Sequence, residues 1–271
     1  MQRYFIQPEQ FSADHVKISG DDAHHLIRVM RAKAGDRVIV SDGALQEALV
    51  VIRTLEGGEV DAEIEERLPM DREPSVDVWI AQSLPKGDKM ELVIQKGTEI
   101  GAARFIPFSS ERTVVQWDAK KEGKRLDRWQ KIAKEAAEQA HRNRIPAVDA
   151  VRNWKGLMEL AAAADAAWFC YEKQDAQELR ALIRSALLKS ATAGQGLEAG
   201  ADKSGAPGQE RLKLLLIVGP EGGFTEREAA LAEEAGCRAV SLGKRILRTE
   251  TAAMVGLTCI LYEAGEMGGE E

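Results

Sequence analysis

The sequence predicts an α/β protein in which helices cover both faces of a parallel sheet, with a small β-barrel placed before it. Three observations point that way. Strand-like runs separated by glycine turns fill about the first seventy residues. After Pro74, strand-like and helix-like segments alternate. Residues 214–218 (LLLIV) are an unbroken apolar run, as expected of a central parallel strand covered on both sides.

In the N-terminal part, residues 37–40, 48–52 and 60–64 read as strands, with turns at 41–43 and 57–58. One helix is expected over about 21–30. Pro69 and Pro74 bracket a polar link, which gives an N-terminal domain of residues 1–72 and a C-terminal domain of residues 73–271. In the second domain, 75–81 alternates as a strand, and Asp88 with Glu91 forms a capping box that should open a helix to about Gly101. Residues 104–108 are the next strand. Over 124–142, Leu126, Trp129, Ala133, Ala136 and Ala140 share one helical face, and Lys124, Lys131, Glu138 and Arg142 share the other. A helix over 154–164, a strand over 167–171 and a helix over 177–189 continue the alternation. Residues 190–210, rich in Gly, Ala and Ser without apolar periodicity, read as a flexible surface insertion.

Composition excludes several classes. The chain is 44% hydrophobic and 30% charged, ordinary values that exclude a disordered or fibrous chain. No apolar run is long enough to span a bilayer, and residues 1–8 lack the apolar core of a signal peptide, so a cytoplasmic protein is expected. Cys170, Cys237 and Cys259 lie in apolar surroundings without metal-ligand spacing and read as reduced core residues. His24 and His25 are adjacent and point apart, so no metal site is expected. The net charge of −7 disfavours nucleic acid on average, but its distribution does not. Ten acids against three arginines lie between Asp42 and Glu73, whereas ten Lys or Arg against five acids lie between Arg112 and Arg144. Arg28, Arg31, Lys33 and Arg37 face only Asp36 in their segment. These clusters could grip phosphates or form solvated faces.

The chemistry concentrates after Lys213. The apolar strand ends in residues 219–223 (GPEGG), and Thr225 with Glu228 forms a capping box for a helix that should stop at Gly236. A second strand over 238–242 leads into 243–248 (GKRILR) and a last helix from about Thr249. Two successive strands therefore each end in a glycine-marked loop that feeds a helix, the place where open α/β sheets bind ligands. Neither a P-loop nor a dinucleotide fingerprint is present, which argues against a polyphosphate. An adenosyl group with an amino-acid tail needs close backbone approach and little positive charge, and it suits these loops.

Residues 218–224 (VGPEGGF) and 242–253 (LGKRILRTETAA) resemble the SPOUT methyltransferases, and most nearly the RsmE family of 16S rRNA uridine-N3 methyltransferases. Residues 82–86 (QSLPK), 95–99 (QKGTE), Glu138 and Gln139 with Arg142, and 25–31 (HLIRVMR) with Gly35 and Asp36 extend the resemblance over nearly the whole chain. The resemblance implies a PUA-like RNA-binding barrel, a knotted catalytic domain, S-adenosylmethionine (SAM) as cofactor and a homodimer acting on 16S rRNA within the small ribosomal subunit. It implies that SAM is held by Gly219, Glu221, Gly222, Leu242, Ile246, Leu247, Arg248 and Thr249, and the same two loops place Gly223, Gly243, Thr251 and Ala252 with them. Arg28, Arg31, Lys33, Lys86, Arg112 and Arg142 are the expected RNA contacts, and Glu138 with Arg142 is alternatively a surface pair four residues apart on one helix. Arg248 is the expected catalytic cation, with Glu138 or Glu250 as proton acceptor. The last helix carries apolar residues around most of its circumference, so burial on several sides is expected, inside one subunit or at a dimer interface. Two alternatives remain at this level: a SPOUT enzyme acting on tRNA or on a ribose hydroxyl, and a non-catalytic RNA-binding assembly factor on the same scaffold.

Overall fold

A computed structural model of the chain describes residues 1–115, 118–171, 177–192 and 211–268. Most of the expected insertion at 190–210 therefore lies outside the described residues. The chain forms two compact units. Among the described residues the first comprises Met1–Glu73 and Ala137–Ile145, and the second comprises the rest.

The first unit is a curled five-stranded sheet. Its strands are β1 (Arg3–Phe5), β2 (His15–Ile18), β3 (Arg37–Ser41), β4 (Glu47–Glu56) and β5 (Glu59–Arg67), in the order β1-β3-β4-β5-β2. β1 and β2 are the two edges of this curled half-barrel, the small β-rich unit expected from the sequence. Period-two alternation fills the interior: Val38 and Val40, Ala48, Val50 and Ile52, and Val60 and Ala62 point into one core with Ile18 and Leu26. The expected helix is α1 (Gly20–His24), which widens into a π-turn over His25–Val29.

A buried polar cluster lies in the same unit. Arg3 makes a two-pronged pair with Glu47, at 2.7 and 2.5 Å. The Asn143 amide also reaches Glu47, and Arg142 pairs with Glu73 at 2.5 Å. Buried pairs of this kind are costly to break, at about 3–5 kcal/mol when one partner is removed. Arg142 is 5% exposed, which corrects its expected role as an RNA contact: its guanidinium is committed to Glu73 inside the unit.

The second unit is a seven-stranded, wholly parallel sheet. In chain order its elements are β6 (Val76–Ser83), α2 (Lys89–Ile100), β7 (Arg104–Phe108), α3 (Ala119–Gln139, to Ala136 in this unit), β8 (Ala147–Val148), α4 (Trp154–Ala161), β9 (Ala166–Cys170), β10 (Gln177–Glu178), α5 (Leu179–Thr192), β11 (Leu212–Val218), α6 (Glu226–Glu234), β12 (Arg238–Ser241) and α7 (Thr249–Glu263). The strand order β10-β12-β9-β11-β6-β7-β8 makes β11 central, as the apolar run predicts. Leu215 and Ile217 face a core shared with α4 and α6, through Leu157, Ala229 and Ala232. Leu216 faces the opposite way, against Gly256 of α7, so close that a Cβ on Gly256 would sit 2.4 Å from its methyl.

Several local expectations need correction. The Asp88–Glu91 capping box does not form: the Asp88 side chain caps nothing, and its carbonyl takes the Glu91 amide. α3 begins at Ala119 and ends at Gln139, because His141 adopts a left-handed φ of 56°. Arg142 thus lies beyond the helix, and its relation to Glu138 is not that of two residues one turn apart. Cys259 is exposed rather than a core residue, and Tyr262 beside it is 59% exposed, so α7 leaves one face uncovered. The Thr225–Glu228 capping box forms as expected, with Thr225 Oγ1 accepting the Glu228 amide and the Glu228 carboxylate accepting the Thr225 amide.

Candidate cofactor cavity

The carboxyl ends of β9, β11 and β12 open onto one cavity of about 680 Å³ in the second unit, the size of a site for a nucleoside with a side arm. Two loops make its walls: residues 219–225 after β11 and 242–248 after β12. The first is anchored by Phe224, which is 2% exposed and packs against Trp154, Phe169 and Tyr171 at centroid distances of 5.2, 6.0 and 6.5 Å. Gly219 presses on that ring so closely that a Cβ there would lie 3.1 Å from it. Gly223 and Gly243 hold φ at +67° and +106°, where a side chain is strained.

Hydrogen bonds brace the loop from three sides. Thr249 Oγ1 donates to the Gly219 carbonyl at 2.7 Å and accepts from Gln82 Nε2 at 2.7 Å. Arg112 donates to the Gly222 carbonyl at 2.9 Å. Lys89 Nζ lies 3.0 Å from Glu221 and 3.5 Å from Glu250, and so ties the glycine loop to the start of α7. Burial alone would raise the Glu221 carboxyl, but its hydrogen bonds and the Lys89 charge hold it below the usual range. The hydrogen bond to Glu221 in turn raises the Lys89 ammonium. Cys170 lines the wall, and burial pushes its thiol up to about 12, which favours the protonated thiol there.

Of the expected cofactor residues, Gly219, Glu221, Gly222, Gly223, Leu242, Gly243, Ile246, Leu247, Arg248, Thr249 and Ala252 all line this cavity. Thr251 does not. Arg112, expected on RNA, instead forms part of the wall and braces the loop. Lys86 is exposed beside the cavity, and its amide donates to Glu221 at 3.3 Å. Arg28, Arg31 and Lys33 are exposed on the first unit. Glu138 belongs to that unit, where its carboxylate accepts the Phe5 amide at 3.1 Å, so it is not part of the cavity. Sequence reasoning missed Lys89 and Tyr171. Tyr171 sits one residue past a strand end, a position that itself signals a ligand wall. Lys89 reads as an ordinary first-turn lysine until the fold brings two carboxylates to it.

The walls suit SAM. Glycine backbone and apolar side chains enclose the space, and the rim carries carboxylates as well as cations, which fits a ligand bearing a sulfonium and an amino-acid tail better than a polyphosphate. Among the described residues no cluster could hold a metal ion, and no helix is long and apolar enough to cross a membrane.

Comparison with known proteins agrees with this site. A family model described as an RNA methyltransferase domain matches residues 72–261, and one described as an RNA methyltransferase PUA domain matches residues 18–65. The fold and cavity are those of a SAM-dependent RNA methyltransferase with a PUA-like N-terminal domain. The chain is 38% identical, over 275 aligned positions covering 100% of both chains, to the ribosomal RNA small subunit methyltransferase E of Bacillus subtilis (strain 168). It is 34% identical to the protein of the same name from Synechocystis, over 95% of this chain and 76% of that one. A crystal structure of ribosomal RNA small subunit methyltransferase E from Neisseria gonorrhoeae bound to S-adenosyl methionine superposes with a TM-score of 0.76, at 28% identity and 96% coverage of both chains. The chain belongs to the ribosomal RNA small subunit methyltransferase E family.

Proposed function

We propose that this protein transfers a methyl group from SAM to N3 of a uridine in 16S rRNA of the small ribosomal subunit, and that it does so in the cytoplasm as a homodimer. The observation that carries the reading is the cavity where two glycine loops meet at neighbouring strand ends, with Arg248 exposed at its rim. SAM, when bound, supplies an electrophilic methyl group on a sulfonium. Gly219, Gly222, Leu242, Leu247 and Ala252 would hold it, and Tyr171 and Phe224 would close the floor.

The acceptor nitrogen carries a weakly acidic proton and has no free lone pair until that proton leaves. Arg248 sits at the N-cap of α7, and its guanidinium stays charged at any working pH, so it stabilises the developing anion on the uracil. Glu250, two residues on and largely buried, takes the proton. Two further features fit the reading. Cys259 and Tyr262 are exposed beside the half-buried Val255 on α7, a face suited to a second copy of the chain. Thr249 joins the end of β6 to the loop after β11, which suits threading of α7 through a knot. The proposed domains are a PUA-like RNA-binding part over 1–72 and a catalytic part over 73–271.

The test is incubation with labelled SAM and small ribosomal subunits, followed by digestion and chromatography of the nucleosides. Label in 3-methyluridine is expected. Label in a ribose-methylated nucleoside, or none in the small-subunit RNA, overturns the reading.

A further inference from the structure

The segment that follows α1 protrudes from the first unit in an unusual way. Ala23 and Leu26 are buried, and Ile27 and Ala32 pack partly against the same core, so both ends of the segment are anchored. Between them the helix widens: the Met30 amide reaches back to the His25 carbonyl at 2.9 Å, and the Ala32 amide to the Leu26 carbonyl at 3.0 Å. Arg31 closes this wide turn with a φ of 53°, a left-handed conformation that a helix end ordinarily gives to glycine. Tyr4 Oη lies 2.8 Å from His25 Nδ1 and holds the base of the turn. Burial and the nearby Glu138 and Asp22 charges push the Tyr4 hydroxyl up to about 12, so it stays a neutral phenol hydrogen-bonded to the imidazole.

The widening turns two apolar side chains outward. Val29 is 60% exposed and Met30 42% exposed, at the tip of a braced turn. Arg28, Arg31 and Lys33 surround them, all exposed, and Asp36, the acid nearest in sequence, is occupied in capping the Lys33 amide at 2.8 Å. An apolar pair ringed by cations is mismatched to bulk water. It is matched to a polyanion whose bases are unstacked: cations meet phosphates, and an aliphatic wedge covers a base face or edge. A perfect duplex offers no such face, because its bases are stacked.

We infer that residues 28–33 form an RNA-docking knuckle in which Val29 and Met30 touch unstacked bases while Arg28, Arg31 and Lys33 hold the flanking phosphates. This rests on the RNA-methyltransferase reading above and adds that the N-terminal unit selects single-stranded or bulged RNA over duplex. The strained Arg31 is the device that keeps the apolar pair outward while placing a cation beside it, which glycine could not do.

The two halves of the knuckle have separable signatures. The probes are protein-free small-subunit ribosomal RNA and a perfectly paired RNA duplex, with the full chain titrated at several salt concentrations. Val29→Ser with Met30→Ser should weaken binding to the ribosomal RNA on the order of tenfold with an unchanged salt slope, because every phosphate keeps its cation. Its binding to the duplex should not change. Arg28→Ala with Arg31→Gly should weaken both and flatten the slope by roughly 0.7 for each phosphate that is no longer neutralised. Unchanged SAM affinity and an intact melting transition show that each variant is folded. Equal weakening of binding to both RNAs by the Val29→Ser with Met30→Ser change, or to neither, overturns the inference. So does a change confined to sedimentation of the protein alone, which would assign the apolar pair to self-association. If the wild-type chain transfers no methyl group yet the knuckle variants behave as stated, the enzymatic reading fails and the knuckle stands.

Discussion

Thr249 Oγ1 donates to the carbonyl of Gly219 at 2.7 Å, and through this bond the first turn of α7 fixes the glycine loop that walls the cofactor cavity. The same hydroxyl accepts from Gln82 at 2.7 Å, so one side chain satisfies three elements at once. Thr249→Val keeps the shape and removes both bonds, leaving a buried carbonyl and a buried amide N–H short of partners. Each such deficit costs about 1–3 kcal/mol. Denaturant unfolding should show a destabilisation of that order, and calorimetry should show weaker SAM binding. Thr249→Ser should restore most of both.

Packing behind the cavity is equally exacting. Gly256 meets Leu216 of the central strand so closely that an added methyl would sit 2.4 Å from the leucine side chain. Gly256→Ala should therefore overpack the α7–β11 junction and cost about 1–3 kcal/mol in thermal or denaturant unfolding. An unchanged midpoint would mean that Leu216 finds another rotamer at no cost.

The strand-and-glycine-loop core of the site was legible because its signals are local. An apolar run, two glycine loops and a capping box each lie within about ten residues. β1 and β2 were not legible, since each is three or four residues long and owes its conformation to a distant partner. Nor was the grouping of Ala137–Ile145 with the N-terminal unit. Asn143 answers to Glu47 across 96 positions and Arg142 to Glu73 across 69, and no periodicity records such pairs. The helical pattern over 124–142 ran three residues too far for the same reason: apolar spacing continues to Ala140, but the helix ends at Gln139 and the chain turns at His141 to bring Arg142 to its partner.

His141 gives that turn a pH dependence. Burial, and then the charges of Arg3, Arg72 and the chain amino terminus, lower the imidazole below its usual value. A base with a lowered folded-state pKa binds fewer protons folded than unfolded. Stability is therefore whole above the unfolded pKa of about 6.5 and falls as pH drops below it. His141→Asn keeps a residue that tolerates φ near +56° and removes the titration. Melting temperatures should show the variant more stable than the parent at low pH and little different above neutrality.

Lys89 makes a prediction with the same sign, set at lower pH. Its ion pair helps hold the Glu221 carboxyl below the ordinary glutamate value, so this support is complete above about pH 4.3 and disappears as pH falls through the lowered pKa. The pH dependence of the rate in the neutral and alkaline range should therefore owe nothing to Glu221, which is ionised throughout. Lys89→Met should shift the Glu221 titration upward, read by carboxyl carbon resonances, and should loosen SAM binding. A Glu221 titration unmoved in that variant would show that the backbone bonds alone hold it.

Arg248 bears on where the methyl group goes. No His and no Cys lies in either glycine loop, and the Cys170 thiol in the wall stays protonated, so the neighbourhood offers cations and carboxylates but no neutral base near pH 7. An acceptor that loses a weakly acidic proton should then react faster as pH rises above neutrality. Arg248→Lys preserves the charge but replaces a planar, permanently charged donor with a compact one, so kcat should fall more than SAM affinity does. Ribose takes no part in this chemistry. A 2′-deoxyuridine placed at the target, in otherwise unchanged RNA, should still be methylated at close to the normal rate. An enzyme attacking the 2′ hydroxyl has no nucleophile on that substrate and must fail. Chromatography of the digested nucleosides separates the two outcomes, and a silent 2′-deoxy substrate would sink the assignment of the methyl group to N3.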